Sequence, residues 1–275
     1  MKSPIKALRT LSQEARSSQA LGRPLLNLAL FHLFRRIPFT RGWLFRFNYH
    51  GLPFRARGAD YWAIEEVLLL KGYKFALPLL MSIAGPPLIV DAGANIGTFA
   101  LFMLASRADA VMHSVEPSQA TYEVLWQNAQ GKPNWHVHRV ALWRENGTIT
   151  FENHEASVEG HIAFDDQPQS GTLEQVPARR LDTFLSESGL DRIHILKLDI
   201  EGAAEAVISE AHLTLRQVDH LILEVHPPHE DSARLMALLE PYFPYIVKIE
   251  DEATPYHILL ASKAPLPAAE AEAIK

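Results

Sequence analysis

The strongest constraint on the fold is an alternation of short β-rich runs and helical segments that starts at Pro87. The run LIVDA (88–92) precedes a glycine-rich turn and a helical segment, and AVMHSVE (110–116) precedes a helical segment over 118–130. Further strands are predicted at 135–142, 148–153, 193–200, 220–225, 245–250 and 256–262, with a short strand followed by a capped helix over 175–185 and a helix over 232–240. This order is typical of an α/β protein with a mostly parallel sheet. We predict a Rossmann-like sheet of about seven strands that ends in an antiparallel pair.

Composition narrows the class of protein. The chain has 275 residues, of which 48% are hydrophobic, so it can bury a sizeable core and is not disordered. It contains no cysteine, which excludes disulfides, thiol nucleophiles and cysteine-ligated metal sites. No GxSxG elbow, Ser-His-Asp order or P-loop lysine signature is present.

Charge divides the chain unevenly. Residues 1–58 hold 11 Lys and Arg against Glu14 alone, a net +10, whereas the remainder carries 15 bases and 31 acids, a net −16. Helical patches around 10–20 and 24–36 precede a loop-like stretch over 39–57 in which aromatic residues alternate with arginines. A basic segment of this kind binds an anionic partner or docks on its own acidic body. A helix follows over 60–80, begun by Asp60 as its cap and interrupted at Gly72.

These patterns predict three regions: a mainly helical N-terminal segment or lid over 1–80, an α/β domain over 81–265 and a tail over 266–275. No run approaches the eighteen or so apolar residues that cross a bilayer, and the start lacks the apolar core of a secretory signal. We therefore expect a cytoplasmic protein, with peripheral contact to anionic membrane through residues 1–58 as an open possibility.

The predicted ligand site lies where the first two strands of the sheet end. In open α/β sheets, ligands bind beyond the carboxyl ends of the strands. The first strand ends at Asp91, followed by Gly93, which allows close approach of a ligand, and by Asn95, which can cap the next helix. The second ends at Glu116, 25 residues after Asp91, where a carboxylate can bind both hydroxyls of a ribose. The turn and this second acid together predict a nucleoside site.

The glycine spacing distinguishes between nucleoside ligands. The glycines follow GxxxG rather than the GxGxxG of dinucleotide-binding proteins, and Asp91 before the turn would repel phosphates. An acid at this position suits a cationic ligand such as S-adenosylmethionine. The alternative is that Asp91 is only a turn residue and Glu116 only a solvent-facing strand end.

Six motifs resemble those of FkbM-type S-adenosylmethionine-dependent methyltransferases. They occur in the family's order over roughly residues 87–262: VDAGANIGTFAL (90–101), VEP (115–117), VAL (140–142), RRLDTFL (179–185), LKLDIEGA (196–203) and LEVHP (223–227). The resemblance implies a class I methyltransferase fold and methyl transfer to a hydroxyl of a sugar, glycolipid or polyketide-like molecule. One departure is Ala204, where the family usually has a second acid after the EGA motif.

The resemblance also implies roles for individual residues. Asp91, Gly93 and Asn95 would line the methionine end of S-adenosylmethionine, and Glu116 would hold its ribose. Ala141 and Leu142 would lie near the adenine, and Asp199 would face the methyl donor.

Methylation of a hydroxyl also needs a group that takes the proton as the oxygen reacts. The candidates are Asp199 and Glu201 after one strand and Glu224 and His226 after the next. His226 is the most suitable because its ordinary pKa lies near neutrality. Three of the candidates also have a simpler interpretation: Glu201 as a helix cap, Glu224 as the partner of a backbone amide or an arginine, and His226 as a loop residue. We expect Lys197 to form a buried ion pair.

We predict no metal, although Asp199, Glu201, Glu224 and His226 together would form an oxygen-rich divalent site. Two alternative functions are a peripheral membrane or scaffold protein with a degenerate nucleoside site, and a nicotinamide oxidoreductase. No nucleic acid is expected, because the acidic body would repel a phosphate backbone.

Overall fold

A computed structural model of the protein describes residues 21–22, 31, 42–70, 72–153, 160–162, 171–227, 229–250 and 256–266. The strands within this part of the chain are β1 (Leu44–Tyr49), β2 (Leu52–Arg57), β3 (Leu88–Ala92), β4 (Val111–Val115), β5 (Trp135–His138), β6 (Ala141–Leu142), β7 (Gly147–Asn153), β8 (His161–Ile162), β9 (Thr172–Arg179), β10 (Ile193–Leu198), β11 (Val218–Val225), β12 (Tyr245–Glu250) and β13 (His257–Ser262). The helices are α1 (Tyr61–Ala63), α2 (Ala76–Ser82), α3 (Thr98–Ser106), α4 (Gln119–Ala129), α5 (Leu181–Glu187), α6 (Ala204–Ile208), α7 (His212–Leu215) and α8 (Ser232–Leu239).

Seven strands form the central sheet in the order β12-β13-β11-β10-β3-β4-β5. The five strands from β11 to β5 are parallel, whereas β13 is antiparallel to both β11 and β12. The predicted fold class is thereby confirmed, including the antiparallel pair at the end of the sheet. All carboxyl ends of the parallel strands point to one edge, which is where the predicted site residues lie.

Helices cover both faces of this sheet and give it two apolar layers. On one face, α3 and α4 pack with the aromatic N-terminal part, in a core that contains Phe54, Leu68, Ile89 and Phe99. On the other face, α5, α6 and α8 pack against β10 and β11. Residues 98–104 of α3 are all buried, as expected for a helix that is apolar on every side. The described N-terminal part therefore shares a core with the sheet, and the division at residue 80 stays a prediction.

A second, four-stranded sheet of order β6-β9-β7-β8 leaves the central sheet after β5. The excursion after Asn146-Gly147 was predicted, but the prediction of a single strand over 135–142 was wrong. The chain instead splits it into β5 in the central sheet and β6, which pairs with β9 in the second sheet. The two strands are separated only by Arg139 and Val140, so no turn signal in the sequence marks the change of sheet.

Residues 44–57 form a β-hairpin, so the prediction of a loop over 39–57 is wrong for this part. Strands β1 and β2 pair from Leu44 with Arg57 to Tyr49 with Leu52. The two turn residues, His50 and Gly51, both have left-handed φ, 48° and 90°, as a tight two-residue hairpin turn requires. The aromatic and basic alternation that suggested an anchoring loop is the two-residue period of a strand with one buried face.

The predicted helix over 60–80 is also divided. One α-helical turn, α1, runs directly into a π-helix over Ile64–Leu69, and α2 begins only after Gly72. Asp60 does not cap α1, because its carboxylate accepts hydrogen bonds from the Arg57 amide at 2.6 Å and from Arg57 Nη2 at 2.7 Å. This pairing ties the end of the hairpin to the start of the helical segment.

Among the described residues, the model contains no helix long and apolar enough to cross a membrane. The predicted helical patches around 10–20 and 24–36 fall almost entirely outside those residues, as does the tail beyond Leu266. Part of the basic segment is described: Arg55 bonds to Gln127 and Arg57 to Thr121, both on α4. These two arginines dock on the chain's own body.

Candidate active site

A cavity of about 1240 Å³ lies along the carboxyl ends of the parallel strands. This volume exceeds the range of about 300–1,000 Å³ that a pocket for one drug-sized ligand occupies. The loops after β3, β4, β10 and β11 form its floor, and the second sheet contributes part of one wall through Phe151, Ile162 and Leu173. The N-terminal part contributes Arg57, Trp62 and Leu70. The cavity therefore has room for two ligands side by side.

The turn between β3 and α3 brings the backbone of two strands into close contact. Gly93 has a φ of 74°, and its amide donates to Val115 O at 3.1 Å. A Cβ atom built on Gly93 would lie 1.6 Å from Asp199 O, so only glycine fits. Its lack of a side chain serves the approach of β10, whereas the prediction assigned it to the approach of a ligand. Both Gly93 and Asn95 line the cavity.

Asn95 is not the cap of α3, contrary to the prediction. The helix begins at Thr98 with Gly97 before it, and the Asn95 side chain accepts the amide of its neighbour Ile96 at 2.7 Å. Asn95 has a left-handed φ of 50°, a conformation that asparagine tolerates better than most residues. This strained turn places the Asn95 amide opposite the end of β4.

Glu116 lies at the end of β4 and lines the cavity. Ala141 and Leu142 of β6 also line the cavity. Glu116 Oε2 accepts the Asn95 amide and Glu116 Oε1 accepts the Ser118 amide, each at 3.0 Å. Burial outweighs these bonds and raises the pKa of Glu116 to about 7. Each carboxylate oxygen keeps a second lone pair, so Glu116 retains capacity to bind hydroxyl groups of a ligand.

Asp91 lies below the cavity floor. It is fully buried, and its Oδ1 lies 3.4 Å from the ammonium of Lys197, which also donates to Asp199 Oδ2 at 3.0 Å. Neither oxygen of Asp91 has a hydrogen-bond partner among the described residues. Burial raises the pKa of Asp91, and the charge of Lys197 opposes that shift. The expected buried ion pair of Lys197 is thus present, and it joins two acids of the predicted site.

All four predicted catalytic candidates meet at the ends of β10 and β11. His226 is the centre of the group: its Nε2 lies 3.2 Å from Asp199 Oδ1 and 3.9 Å from Glu224 Oε1. Its Nδ1 lies 3.2 Å from Glu201 Oε2. Residues that follow neighbouring parallel strands meet at one sheet edge, so the sequence could predict this assembly.

The acids determine the protonation of the group. Burial opposes the charge of His226, but its bond to Asp199 and the charges of Asp199, Glu201 and Glu224 raise its pKa to about 9. Burial and the charge of Asp199 raise the pKa of Glu224. Burial opposes ionisation of Asp199, yet the charge of Lys197 holds the pKa of Asp199 well below its ordinary value. At neutral pH the group therefore contains an imidazolium beside an ionised Asp199.

Sequence reasoning missed two residues that support this group. The Tyr73 hydroxyl donates to Glu224 Oε2 at 2.9 Å across 151 positions of sequence. Glu230 accepts the amides of His226 and Ala204, both at 3.0 Å, and so ties the loops after β11 and β10 together. Neither contact has a local sequence signal, because both depend on how distant segments pack.

Three of these groups, Asp199, Glu224 and His226, have ligand atoms within 4.8 Å of one another, a spacing that can hold a metal ion. Lys197 already supplies a positive charge at Asp199, and Tyr73 occupies one oxygen of Glu224. We assign no metal to the group.

Comparison with known proteins gives a consistent set of relatives. The Methyltransferase FkbM domain profile matches residues 91–251. Methyltransferase 1 of Beauveria bassiana (strain ARSEF 2860) is 30% identical over 175 residues, which is 55% of this chain and 70% of that protein. The 2-O-methyltransferase NoeI of Sinorhizobium fredii (strain NBRC 101917 / NGR234) is 27% identical over 172 residues, 56% of this chain and 70% of NoeI. Hexuronic acid methyltransferase AglP of Haloferax volcanii is 25% identical over 177 residues, 61% of this chain and 66% of AglP.

Proposed function

The chain belongs to the FkbM methyltransferase family, and we propose that it methylates a hydroxyl oxygen of a sugar or of another small natural product. Its sheet is the class I methyltransferase fold, and its methyl donor is S-adenosylmethionine. The observation that carries the proposal is His226, which lines the cavity between three carboxylates.

The donor set of the cavity fits S-adenosylmethionine, a compact molecule with a ribose, an adenine and a net positive charge. The methionine end carries the charge, and the acids Asp91 and Asp199 with a single lysine between them leave a surplus of negative charge there. Within the described part of the chain, neither buried oxygen of Asp91 has a hydrogen-bond partner. A dinucleotide would bring phosphates to the same turn, which this surplus opposes.

We assign the family's cofactor residues by their positions along the cavity. Glu116 binds the ribose hydroxyls, and the apolar wall at Ala141 and Leu142 packs on the adenine. Gly93, Asn95 and the loop of Asp199 surround the methionine end, and Asp91 acts from below through its charge. S-adenosylmethionine supplies an activated methyl group on a sulfonium, so the protein has to orient the acceptor and manage one proton.

His226 is the proposed general base. A hydroxyl is a poor nucleophile, and a base that takes its proton as the oxygen gains the methyl group contributes typically about 10²–10⁴-fold in rate. His226 lines the cavity, and its Nε2 lies 3.2 Å from Asp199 Oδ1 and 3.9 Å from Glu224 Oε1. The other oxygen of Glu224 accepts a hydrogen bond from the Tyr73 hydroxyl. The pKa of Glu224 is raised, which favours a neutral carboxyl that can donate a hydrogen bond to the acceptor.

The acceptor class rests on two supports. Two relatives are a 2-O-methyltransferase and a hexuronic acid methyltransferase, which favours a hydroxyl of a sugar. The cavity is also lined by Trp62, Tyr256 and Leu70 together with Glu66. Aromatic faces beside carboxylates suit a ring that is apolar on its faces and rich in hydroxyls at its edge.

The test is transfer of a labelled methyl group from S-adenosylmethionine to small molecules of a cell extract, followed by identification of the labelled product. We expect label on a hydroxyl oxygen of a sugar or a related natural product. The His226→Gln variant should lose about 10²–10⁴-fold in kcat because it lacks the base.

The matched control is His212→Gln, the same substitution at an exposed histidine of α7, which should leave kcat unchanged. Label on a nitrogen or carbon acceptor would overturn the assignment of a hydroxyl, and full activity in His226→Gln would overturn the assignment of the base.

A further inference from the structure

His226 is held as a cation by carboxylates at both of its ring nitrogens. Nε2 has a hydrogen bond to Asp199 at 3.2 Å. Nδ1 has no hydrogen-bond partner among the described residues and lies 3.2 Å from Glu201 Oε2, an ion-pair contact. An imidazole with a proton on each nitrogen cannot accept a third. The resting arrangement is therefore not that of a base, and the protein needs a way to remove one of these protons before the acceptor reacts.

Asp199 is shared between two cations and is the group that a third cation would reach. Its Oδ2 accepts from Lys197 at 3.0 Å and its Oδ1 faces His226, while about a quarter of its side chain remains exposed to the cavity. Lys197 is buried and cannot leave. A positive ligand in the cavity thus competes with the Nε2 proton of His226 for the Asp199 carboxylate. Binding of the ligand therefore favours loss of that proton.

We propose that His226 releases its Nε2 proton to solvent when the cationic methyl donor binds beside Asp199, while Glu201 keeps the other proton on Nδ1. The inference rests on the proposed function, since it explains how the proposed base becomes able to act. The cavity gains one positive charge with the donor and loses one with the proton. When the acceptor oxygen gains the methyl group, its proton returns to Nε2 and restores the imidazolium.

The backbone around Glu201 indicates that its position is imposed. Glu201 has a left-handed φ of 45° and Gly202 has a φ of 85°. A left-handed φ is unfavourable for a residue other than glycine and persists only where neighbouring contacts fix it. The bridge of Glu230 between the amides of Ala204 and His226 supplies such contacts. Glu201 is thereby held against Nδ1 as a positioning residue.

The charged and titratable groups around His226 come from every packed element. Asp199 and Lys197 lie on β10 and its end, Glu201 on the loop that follows, Glu224 on β11 and Glu230 on the loop before α8. The ring of Tyr256 lies 4.9 Å from that of His226, and His257 follows it. Burial lowers the pKa of His257, so this histidine is neutral at pH 7. Lys197 is the cation of this set and the acids outnumber it, which agrees with the pKa of His226 of about 9.

Calorimetry tests the proposal without an acceptor. S-adenosylmethionine and S-adenosylhomocysteine, which lacks the sulfonium charge, are titrated into the protein at pH 7.0 in two buffers of different ionisation enthalpy. We expect S-adenosylmethionine to release nearly one proton more than S-adenosylhomocysteine. The affinity for S-adenosylmethionine should then rise about tenfold per pH unit between pH 6 and 7, since one released proton gives that slope.

The His226→Gln variant separates this proton from any that the ligand itself exchanges. The ligand's own amine is the same in both proteins, so the difference between wild type and variant counts only His226. Equal proton release by wild type and variant, or by the two ligands in wild type, would overturn the proposal.

The role of Glu201 has a separate spectroscopic readout. In the protein saturated with S-adenosylmethionine, ¹⁵N NMR should find the His226 proton on Nδ1. Glu201→Leu should shift it toward Nε2, and the conservative Glu201→Gln, which keeps an acceptor oxygen, should restore Nδ1. Glu205→Gln on α6 is the control that should change nothing. If the proton of His226 stays on the same ring nitrogen in all of these variants, the positioning role of Glu201 is overturned.

The two proposals fail in different ways. Binding of S-adenosylmethionine without the extra proton would overturn this inference and leave hydroxyl methylation standing. Proton release without transfer of label to any hydroxyl would overturn the proposed acceptor and leave the exchange at His226 standing.

Discussion

Single residues at the floor of the cavity have roles that their type alone does not reveal. A glycine after the first strand indicated close approach of a ligand, yet the close neighbour of Gly93 is the backbone of Asp199. Lys197 and the four candidate acids and bases were predictable, because each lies at or just after the carboxyl end of β10 or β11 and these ends share one edge of the sheet. Tyr73 was not predictable, because the hydrogen bond from its hydroxyl to Glu224 depends on the path of the N-terminal part of the chain.

Gly93→Ala should destabilise the protein more than the conformational strain at this position explains. The new methyl would lie 1.6 Å from Asp199 O and would force β3 and β10 apart. We expect a loss of more than about 3 kcal/mol in the free energy of unfolding, measured by urea denaturation, since strain at a left-handed φ alone costs about 1–3 kcal/mol.

Gly85→Ala is the matched control for this strain. Gly85 has a φ of 72°, close to the 74° of Gly93, but a Cβ there meets no atom within 4 Å. The difference between the two variants therefore measures the close approach of β10. Equal losses in both would mean that the turn relaxes around the methyl at Gly93.

At the scale of elements, one buried side chain makes three hydrogen bonds at the contact between the hairpin and the α/β body. Asn128 on α4 accepts the Arg55 amide of β2 at 2.6 Å and donates to Arg55 O and Ile96 O, both at 2.9 Å. It thus connects the hairpin, α4 and the β3–α3 turn. The central strands were predicted because each is a long apolar run, whereas the hairpin was missed because aromatic and basic alternation also suits a surface anchor.

Asn128→Ala should loosen the hairpin. The substitution leaves the Arg55 amide and carbonyl without partners, and each buried unsatisfied group costs about 1–3 kcal/mol. We expect a loss of about 3 kcal/mol by urea denaturation and faster hydrogen exchange at the Arg55 amide.

Gln130→Ala at the end of α4 is the control, since, in the described part of the chain, the Gln130 side chain bonds only to Trp126 O at the exposed surface. Its stability should lie within about 0.5 kcal/mol of the wild type. Unchanged exchange at Arg55 in Asn128→Ala would show that the hairpin is held by its aromatic core alone.

For the whole molecule, the buried acids and histidines predict stability that falls as the pH rises above neutrality. The folded state raises the pKa of His226 from an ordinary 6.5 to about 9, so its contribution is complete below pH 6.5 and is lost as the pH rises through 9. The raised pKa of Glu224 and that of Glu116, about 7, act in the same direction. Lys197 has a raised pKa and stays charged throughout this interval.

The measurement is the free energy of unfolding by urea at pH 6.5 and pH 9.0, and we expect the lower value at pH 9.0. Burial lowers the pKa of His113 and His138 to about 4, so they add a loss of stability only below pH 6.5. His226→Gln should flatten part of the decline. Stability that is constant or rising from pH 6.5 to 9.0 would contradict the protonation of this cavity.

The order of strands at the end of the sheet bears on how the protein is made. β12 comes before β13 in the chain, but among the described strands it pairs with β13 alone, and β13 lies between it and β11. A growing chain emerges from the ribosome in sequence order, so β12 has no place in the sheet until β13 follows it. Tyr256 and His257 reach the cavity wall at that same moment. Until β13 inserts, a nascent chain would carry an unfinished cavity wall and an unpaired edge at β11, which is a stage at which a chaperone could bind.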